Sequence, residues 1–111
     1  MIFLESIDTT EAERGFLALI PEGEENAVSM ADLAGRAGTD DRTVRKTVFD
    51  LRVRGHIIAG DRSGYYRPAT TSQIKSYYHL ALRRARSSLA IVNAMKKRLR
   101  AAGILPDETA R

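Results

Sequence analysis

Two helix starts and two helix stops fall between residues 29 and 55, and no other feature of the chain limits the fold as strongly. Ser29 begins a helix of about two turns, which a glycine-rich stretch ends. Asp40 is a good N-cap for a second helix, which runs from Asp41 to about Arg54 before another glycine. The two helices are therefore joined by only a few residues.

A β-hairpin is predicted directly after the second of these helices. Residues 56–59 and 65–67 are rich in types that favour strands, and residues 60–64 between them carry a glycine at each end. This pattern predicts two strands joined by a five-residue loop. A short helix, a tight turn, a second helix and a hairpin, in this order, form a helix-turn-helix followed by a wing.

Helices are also predicted on either side of this segment. Thr10 and Glu13 form a capping-box pair that begins a first helix, which ends at Pro21. After the hairpin, Thr70 or Ser72 caps a long helix that glycine and proline close.

A chain of 111 residues has room for one compact domain and an appended helix. We expect a mainly α fold with a small β-hairpin. Its parts are a winged helix-turn-helix domain over residues 1–70, a long C-terminal helix over 71–103 and a flexible tail over 104–111.

The charged residues are distributed unevenly along the chain. Residues 1–40 contain two arginines against nine acids, whereas residues 41–111 contain 16 lysines and arginines against five acids. A basic surface confined to one part of a small domain is typical of proteins that bind a polyanion, most often nucleic acid. A basic run can also serve only to keep a helix soluble.

Motifs for catalysis and for metal binding are missing from the sequence. The chain has no cysteine, and His56 and His79 lie apart without carboxylates at ligand spacing. No phosphate-loop, nucleophile-elbow or zinc-protease motif occurs, and no signal peptide or membrane-spanning run is present. We therefore expect a cytoplasmic protein that is not an enzyme, has no cofactor or metal, and does not bind membranes.

The most distinctive stretches of the chain are LAGRAGTDDRTVRK at residues 33–46 and LRVRGHII at residues 51–58, followed by GYY at residues 64–66. They resemble winged helix-turn-helix modules of the biotin-repressor type, as found in small phage and plasmid DNA-binding proteins. The resemblance covers about residues 28–68. It implies a sequence-specific binder of double-stranded DNA, associated with the nucleoid when bound, and a transcriptional regulator of phage or mobile-element type.

The resemblance also implies which residues contact DNA. Modules of this type place the N-terminal turns of the second helix in the major groove. If Val44, Val48 and Leu51 face the core, helical geometry turns basic side chains outward. The implied contacts are Arg42, Thr43, Arg45 and Lys46 on the helix, and Arg62, Ser63 and Arg67 of the hairpin toward the minor groove or the phosphates.

Two features depart from the family pattern. Asp40 and Asp41 stand where such modules carry a serine and a basic or polar residue; Asp40 serves as an N-cap, whereas Asp41 would repel phosphates. Phe49 and Val53 lie on the outward side of the helix, where the C-terminal helix, a second subunit or a protein partner should cover them. The alternative function is therefore a replication-assembly or helicase-loader-like adaptor that uses the winged helix to hold another protein.

The long C-terminal helix carries a heptad seam of apolar and small residues. We expect the seam to form a homodimer, parallel or antiparallel, that sets the spacing of two DNA half-sites; otherwise the helix packs back on its own domain. The basic residues off the seam either contact phosphates or keep the helix soluble. The residues assigned to the dimer or partner interface are Tyr78, Ala81, Ala85, Val92, Met95 and Leu99.

Overall fold

The structure is a computed structural model in which residues 4–105 are described. It contains, in chain order, α1 (Glu11–Leu17), a 3-10 turn (Glu24–Asn26), α2 (Met30–Ala37), α3 (Asp41–Val53), β1 (Ala59–Asp61), β2 (Gly64–Tyr66) and α4 (Thr71–Ala101). This order confirms the predicted fold class, which is mainly α with a small β-hairpin and a long C-terminal helix.

The chain divides into two compact units, one up to Tyr77 and one from Tyr78 onward. The division falls inside α4, so the first two turns of α4 belong to the first unit. Residues 106–111 of the predicted flexible tail lie outside the described residues. Within residues 4–105, no helix combines the length and the apolar character needed to cross a membrane.

Each α-helix of the described chain begins at a predicted cap. A side-chain oxygen accepts a hydrogen bond from the backbone amide three residues on at Thr10, Ser29, Asp40 and Thr70. The Glu13 carboxylate also accepts from the Thr10 amide at 2.9 Å, which completes the capping box. The first helix was predicted to end at Pro21, but α1 ends at Leu17. Hydrogen bonds between residues i and i+3 tighten the chain ahead of the proline at position 21.

The predicted hairpin forms, but β1 begins three residues later than predicted and the loop is shorter. Asp61 pairs with Gly64, which leaves only Arg62 and Ser63 between the strands, so the prediction of a five-residue loop was wrong. The Asp61 carboxylate accepts from the Ser63 amide at 2.7 Å, and Gly64 has a φ of 111°. A tight turn is possible because aspartate closes it locally and glycine adopts the left-handed backbone that follows.

A third segment lies beside the hairpin. The amide of Val28, just before α2, donates to the carbonyl oxygen of Tyr65 at 3.0 Å, and the amide of Tyr65 donates back at 2.7 Å. The chain between α1 and α2 therefore pairs with β2. This pairing was not predicted, since a bridge of one residue leaves no strand period in the sequence.

The core of the first unit lies between α2, α3 and the hairpin. Helix α3 contributes its three predicted core residues, Val44, Val48 and Leu51, each no more than 2% exposed. Against them pack the fully buried Leu33 of α2 and Ile58 before β1. This packing fixes the rotation of α3 and therefore decides which of its side chains face solvent.

Candidate nucleic-acid interface

Helix α3 turns one face away from the core. With its three core residues buried, helical geometry places Arg42, Lys46, Phe49 and Val53 on the opposite side, with Arg45 at its edge. All five side chains are exposed, which confirms the predicted rotation of the helix. We call this set the outward face of α3.

The first half of the outward face is basic. Arg42 and Arg45 have no hydrogen-bond or ion-pair partner among residues 4–105, so both guanidinium groups are available to a ligand. The Lys46 Nζ lies 3.0 Å from the Asp50 Oδ2, in a pair whose side chains are 77% and 55% exposed. Such a surface pair contributes only about 0.3–0.5 kcal/mol, so a phosphate can compete for the lysine.

The two aspartates at the start of α3 differ in their surroundings. The Thr43 amide donates to the Asp40 carboxylate at 2.7 Å, which lowers the pKa of that carboxyl and confirms Asp40 as the N-cap. Thr43 is thus held at its backbone, and its side chain is exposed. The exposed Asp41 has no hydrogen-bond or ion-pair partner in the described part of the chain. Asp41 therefore places an unpaired carboxylate beside Arg42 in the first turn of α3.

The second half of the outward face is apolar. Phe49 is 65% exposed and Val53 is 70% exposed. Within the described part of the first unit, no side chain covers them, and the predicted cover stays a prediction. The outward face therefore carries arginine and lysine in the N-terminal half of α3 and apolar side chains in its C-terminal half.

The predicted hairpin residues occupy two different environments. Arg62 and Ser63 form the exposed tip, and Arg62 has no side-chain partner among residues 4–105. The Arg67 Nε instead donates to the carbonyl oxygen of Ile20 at 2.8 Å, in a partly buried position. Arg67 therefore ties the end of the hairpin to the segment that follows α1, and its DNA contact stays a prediction.

Arg52 of α3 makes packing contacts that were not predicted. Its Nε donates to the Ile58 carbonyl oxygen at 2.8 Å, and its guanidinium carbon lies 5.8 Å and 5.6 Å from the ring centroids of Tyr65 and Tyr77. These distances are those of cation–π contacts. Arg52 thus joins α3 to the hairpin and to the first turns of α4, and it braces the helix that carries the outward face.

The predicted seam of the second unit is largely solvent-facing. Tyr78, Val92 and Met95 are 59%, 42% and 53% exposed, and the small residues Ala81 and Ala85 are exposed as well. Leu99 is half-buried and lines a cavity of about 350 Å³ at the C-terminal end of the helix. Because α4 is continuous over this range, the heptad spacing places the seam residues along one stripe of the helix.

A separate open groove of about 740 Å³ lies in the first unit. Apolar side chains that include Leu4, Leu17 and Ile74 line it, together with His56, whose Nε2 is buried without a hydrogen-bond partner among residues 4–105. No three histidine, aspartate or glutamate side chains of the described chain are grouped to hold a metal ion. The groove offers a ligand mostly hydrocarbon.

No protein-family model, curated protein or solved structure compared with this chain matches it. Function is therefore inferred from the geometry and charge of the outward face of α3 and of α4.

Proposed function

We propose that this chain is a sequence-specific binder of double-stranded DNA, a dimeric transcriptional regulator of phage or mobile-element type that acts in the cytoplasm and associates with the nucleoid when bound. The observation that carries the proposal is the outward face of α3, on which Arg42 and Arg45 are exposed and have no partner within residues 4–105.

An exposed helix of this composition suits the major groove. The groove is about 12 Å wide and admits an α-helix, and arginine can bond both the O6 and the N7 of guanine. Each such pair contributes about 1–3 kcal/mol of discrimination against another base. Phe49 supports the same interpretation, because an apolar side chain on this face can contact the methyl group of thymine.

The hairpin tip supports a sequence-independent contact. Arg62 lies at a two-residue turn, where its side chain is exposed. A cation on a short, rigid hairpin positions the protein on the sugar-phosphate backbone but carries no sequence information by itself. Arg62 should therefore contribute affinity, whereas Arg45 should contribute specificity.

The seam of α4 supports the homodimer. Val92 and Met95 are exposed on a stripe whose middle is formed by Ala81, Ala85 and Ser88, and small residues allow a second helix to approach closely. A symmetric dimer would present two copies of α3 and so read two half-sites.

Selection of bound sequences tests the proposal. The purified protein is incubated with sheared genomic duplex or a random duplex library, washed at about 0.15 M salt, and the retained DNA is sequenced. We expect an enriched inverted repeat. Retention without any motif would contradict sequence-specific recognition, and no retention would contradict DNA binding altogether.

Two arginine variants then test the assignment of the surfaces. Arg45→Ala should relax the preference at one base position, whereas Arg62→Ala should weaken all sequences about equally. Equal losses of affinity on all sequences from both variants would contradict the placement of α3 in the major groove.

A protein adaptor is the second candidate function, and the exposure of Phe49 and Val53 favours it. In this case Phe49→Glu should leave the fold and the affinity for DNA unchanged but abolish binding of a protein partner. Loss of sequence preference in Phe49→Glu would instead assign the residue to the DNA interface.

A further inference from the structure

The charged side chains of helix α4 are all lysines and arginines. Residues 71–101 contain eight lysines and arginines and neither aspartate nor glutamate. Helix α3, by contrast, pairs Lys46 with Asp50 one turn later. Such a pair cannot form inside α4, and like charges three or four residues apart destabilise a helix slightly, by about 0.2–0.5 kcal/mol.

Three of these cations share one side of the helix. At 100° per residue, Arg83, Arg86 and Lys97 fall within a 60° arc, well away from the seam residue Val92. All three are exposed, and none has a hydrogen-bond or ion-pair partner among residues 4–105. We call these three residues the basic face of α4.

The spacing of the basic face is regular and rigid. Arg83 and Lys97 are 14 residues apart, or about 21 Å along the axis at 1.5 Å per residue. Residues 87–95 between the two ends of the face carry no charge. Each strand of duplex DNA offers a phosphate every 3.4 Å of its axis, so both ends of the face can meet phosphates of one duplex at once.

The structure assigns a second polyanion site to this helix: we propose that the basic face of α4 binds the phosphate backbone of DNA without sequence preference. This inference rests on the proposed function and deepens it, because it adds a non-specific contact to the specific one made by α3. Arginine favours phosphate in particular, since its planar fork donates two parallel hydrogen bonds to phosphate oxygens.

An anionic membrane fits the helix less well than DNA does. Helices that lie in a membrane interface place large apolar side chains such as tryptophan, phenylalanine and leucine opposite the basic ones. Helix α4 has neither tryptophan nor phenylalanine, its leucines are spread over about half of the helix circumference, and small residues occupy the middle of its seam. The acidic residues of a second copy are the other alternative ligand for these cations, and in that case removing the cations should dissociate a dimer.

A charge-removing variant tests the proposal. In R83Q/R86Q/K97Q the three cations become glutamines, which form helices about as well, so the fold should persist and circular dichroism checks it. The binding constant is measured against salt concentration for the selected site and for a scrambled duplex. Each lost phosphate contact reduces the magnitude of the slope of log K against log salt by about 0.9, so we expect that magnitude to fall by about 2 to 3 per protomer on both duplexes, with their affinity ratio unchanged.

The matched control keeps the charge and changes the side chains. The variant R83K/R86K/K97R should retain the wild-type slope, because counterion release depends on the number of charges that meet phosphates. A wild-type slope in R83Q/R86Q/K97Q, with sequence preference intact, would overturn the α4 inference and leave the proposed function standing.

The remaining outcomes distinguish the two proposals from each other. A reduced slope in a protein without any sequence preference would support the α4 site and overturn sequence-specific recognition. No binding of either duplex by the wild type would overturn both. Sedimentation of the glutamine variant as a monomer, where the wild type is a dimer, would assign the basic face to a second copy, and binding of the wild type to phosphatidylserine vesicles but not DNA would assign it to lipid.

Discussion

The carbonyl oxygen of Val28 occupies the space that a side chain at Gly64 would need. Gly64 also has a φ of 111°, a conformation that residues with a Cβ rarely adopt. Both constraints arise because the segment before α2 pairs directly with β2, where the Tyr65 amide donates to the same Val28 oxygen at 2.7 Å. The tip of the hairpin therefore depends on a contact with a residue far away in the sequence.

Gly64→Ala should destabilise the first unit. The added methyl group must displace the Val28 backbone or force a strained φ, and such strain costs about 1–3 kcal/mol. The matched control is Gly35→Ala, in the exposed interior of α2, where an added Cβ meets nothing within 4 Å. That variant should gain about 0.5–1 kcal/mol from helix propensity. Urea unfolding measures both, and equal stability of the two variants would contradict the pairing of Val28 with β2.

Arg52→Ala should cost about 2 kcal/mol of unfolding free energy. It removes a charge-assisted hydrogen bond to Ile58 and the contacts with the rings of Tyr65 and Tyr77. Arg45→Ala is the control on the same helix, and as an exposed residue without a partner among residues 4–105 it should change stability by no more than about 0.5 kcal/mol. A double-mutant cycle with Tyr77→Leu should show coupling, and strictly additive effects would mean that Arg52 does not brace α4.

The stability of the chain should fall in acid through Glu13. Hydrogen bonds from the Thr10 amide and from the Arg54 side chain lower the pKa of the Glu13 carboxyl from 4.5 to about 2. Because the folded-state pKa is depressed, the stabilisation is complete above pH 4.5 and is lost as the pH falls toward 2.

Thermal unfolding between pH 7 and pH 2.5 measures this dependence. Glu13→Gln should flatten the fall in Tm below pH 4.5, whereas Glu11→Gln in the same helical turn should retain the wild-type profile. An unchanged profile in Glu13→Gln would show that the capping box and the Arg54 pair do not persist in solution.

Local signals account for the parts of the fold that could be predicted. The caps at Ser29 and Asp40 are side-chain-to-backbone contacts over three residues, and the rotation of α3 follows from the period of its apolar residues. The outward face of α3 could therefore be predicted residue by residue.

The errors come from contacts between distant segments. Gly60 lies in a strand, and not in the predicted loop, where the Arg52 side chain packs against it: the Arg52 Nη2 would lie 2.9 Å from a Cβ at that position. The Arg67 Nε donates to the carbonyl oxygen of Ile20, 47 residues earlier, a contact that was not predicted, while the contact of Arg67 with DNA stays a prediction. No local pattern encodes either contact, since both form only when the hairpin packs on the helices.

Asp41→Asn should strengthen the binding of DNA. Asp41 is exposed in the first turn of α3, beside Arg42, on the end of the helix proposed to enter the major groove. A carboxylate there stabilises the helix by about 0.3–1 kcal/mol but repels phosphates, at a cost of about 1 kcal/mol for one charge near 4 Å in water. Removing it should raise affinity about fivefold for each half-site at low salt and lower stability by less than about 1 kcal/mol.

The control for net charge is Asp32→Asn, which removes the same charge from the first turn of α2. Titration of a labelled duplex with each variant at two salt concentrations separates a local effect from a general one, because only a charge close to the phosphates has a large influence at about 0.15 M salt. A gain for Asp41→Asn that is no larger than the gain for Asp32→Asn would mean that the start of α3 does not face the DNA backbone.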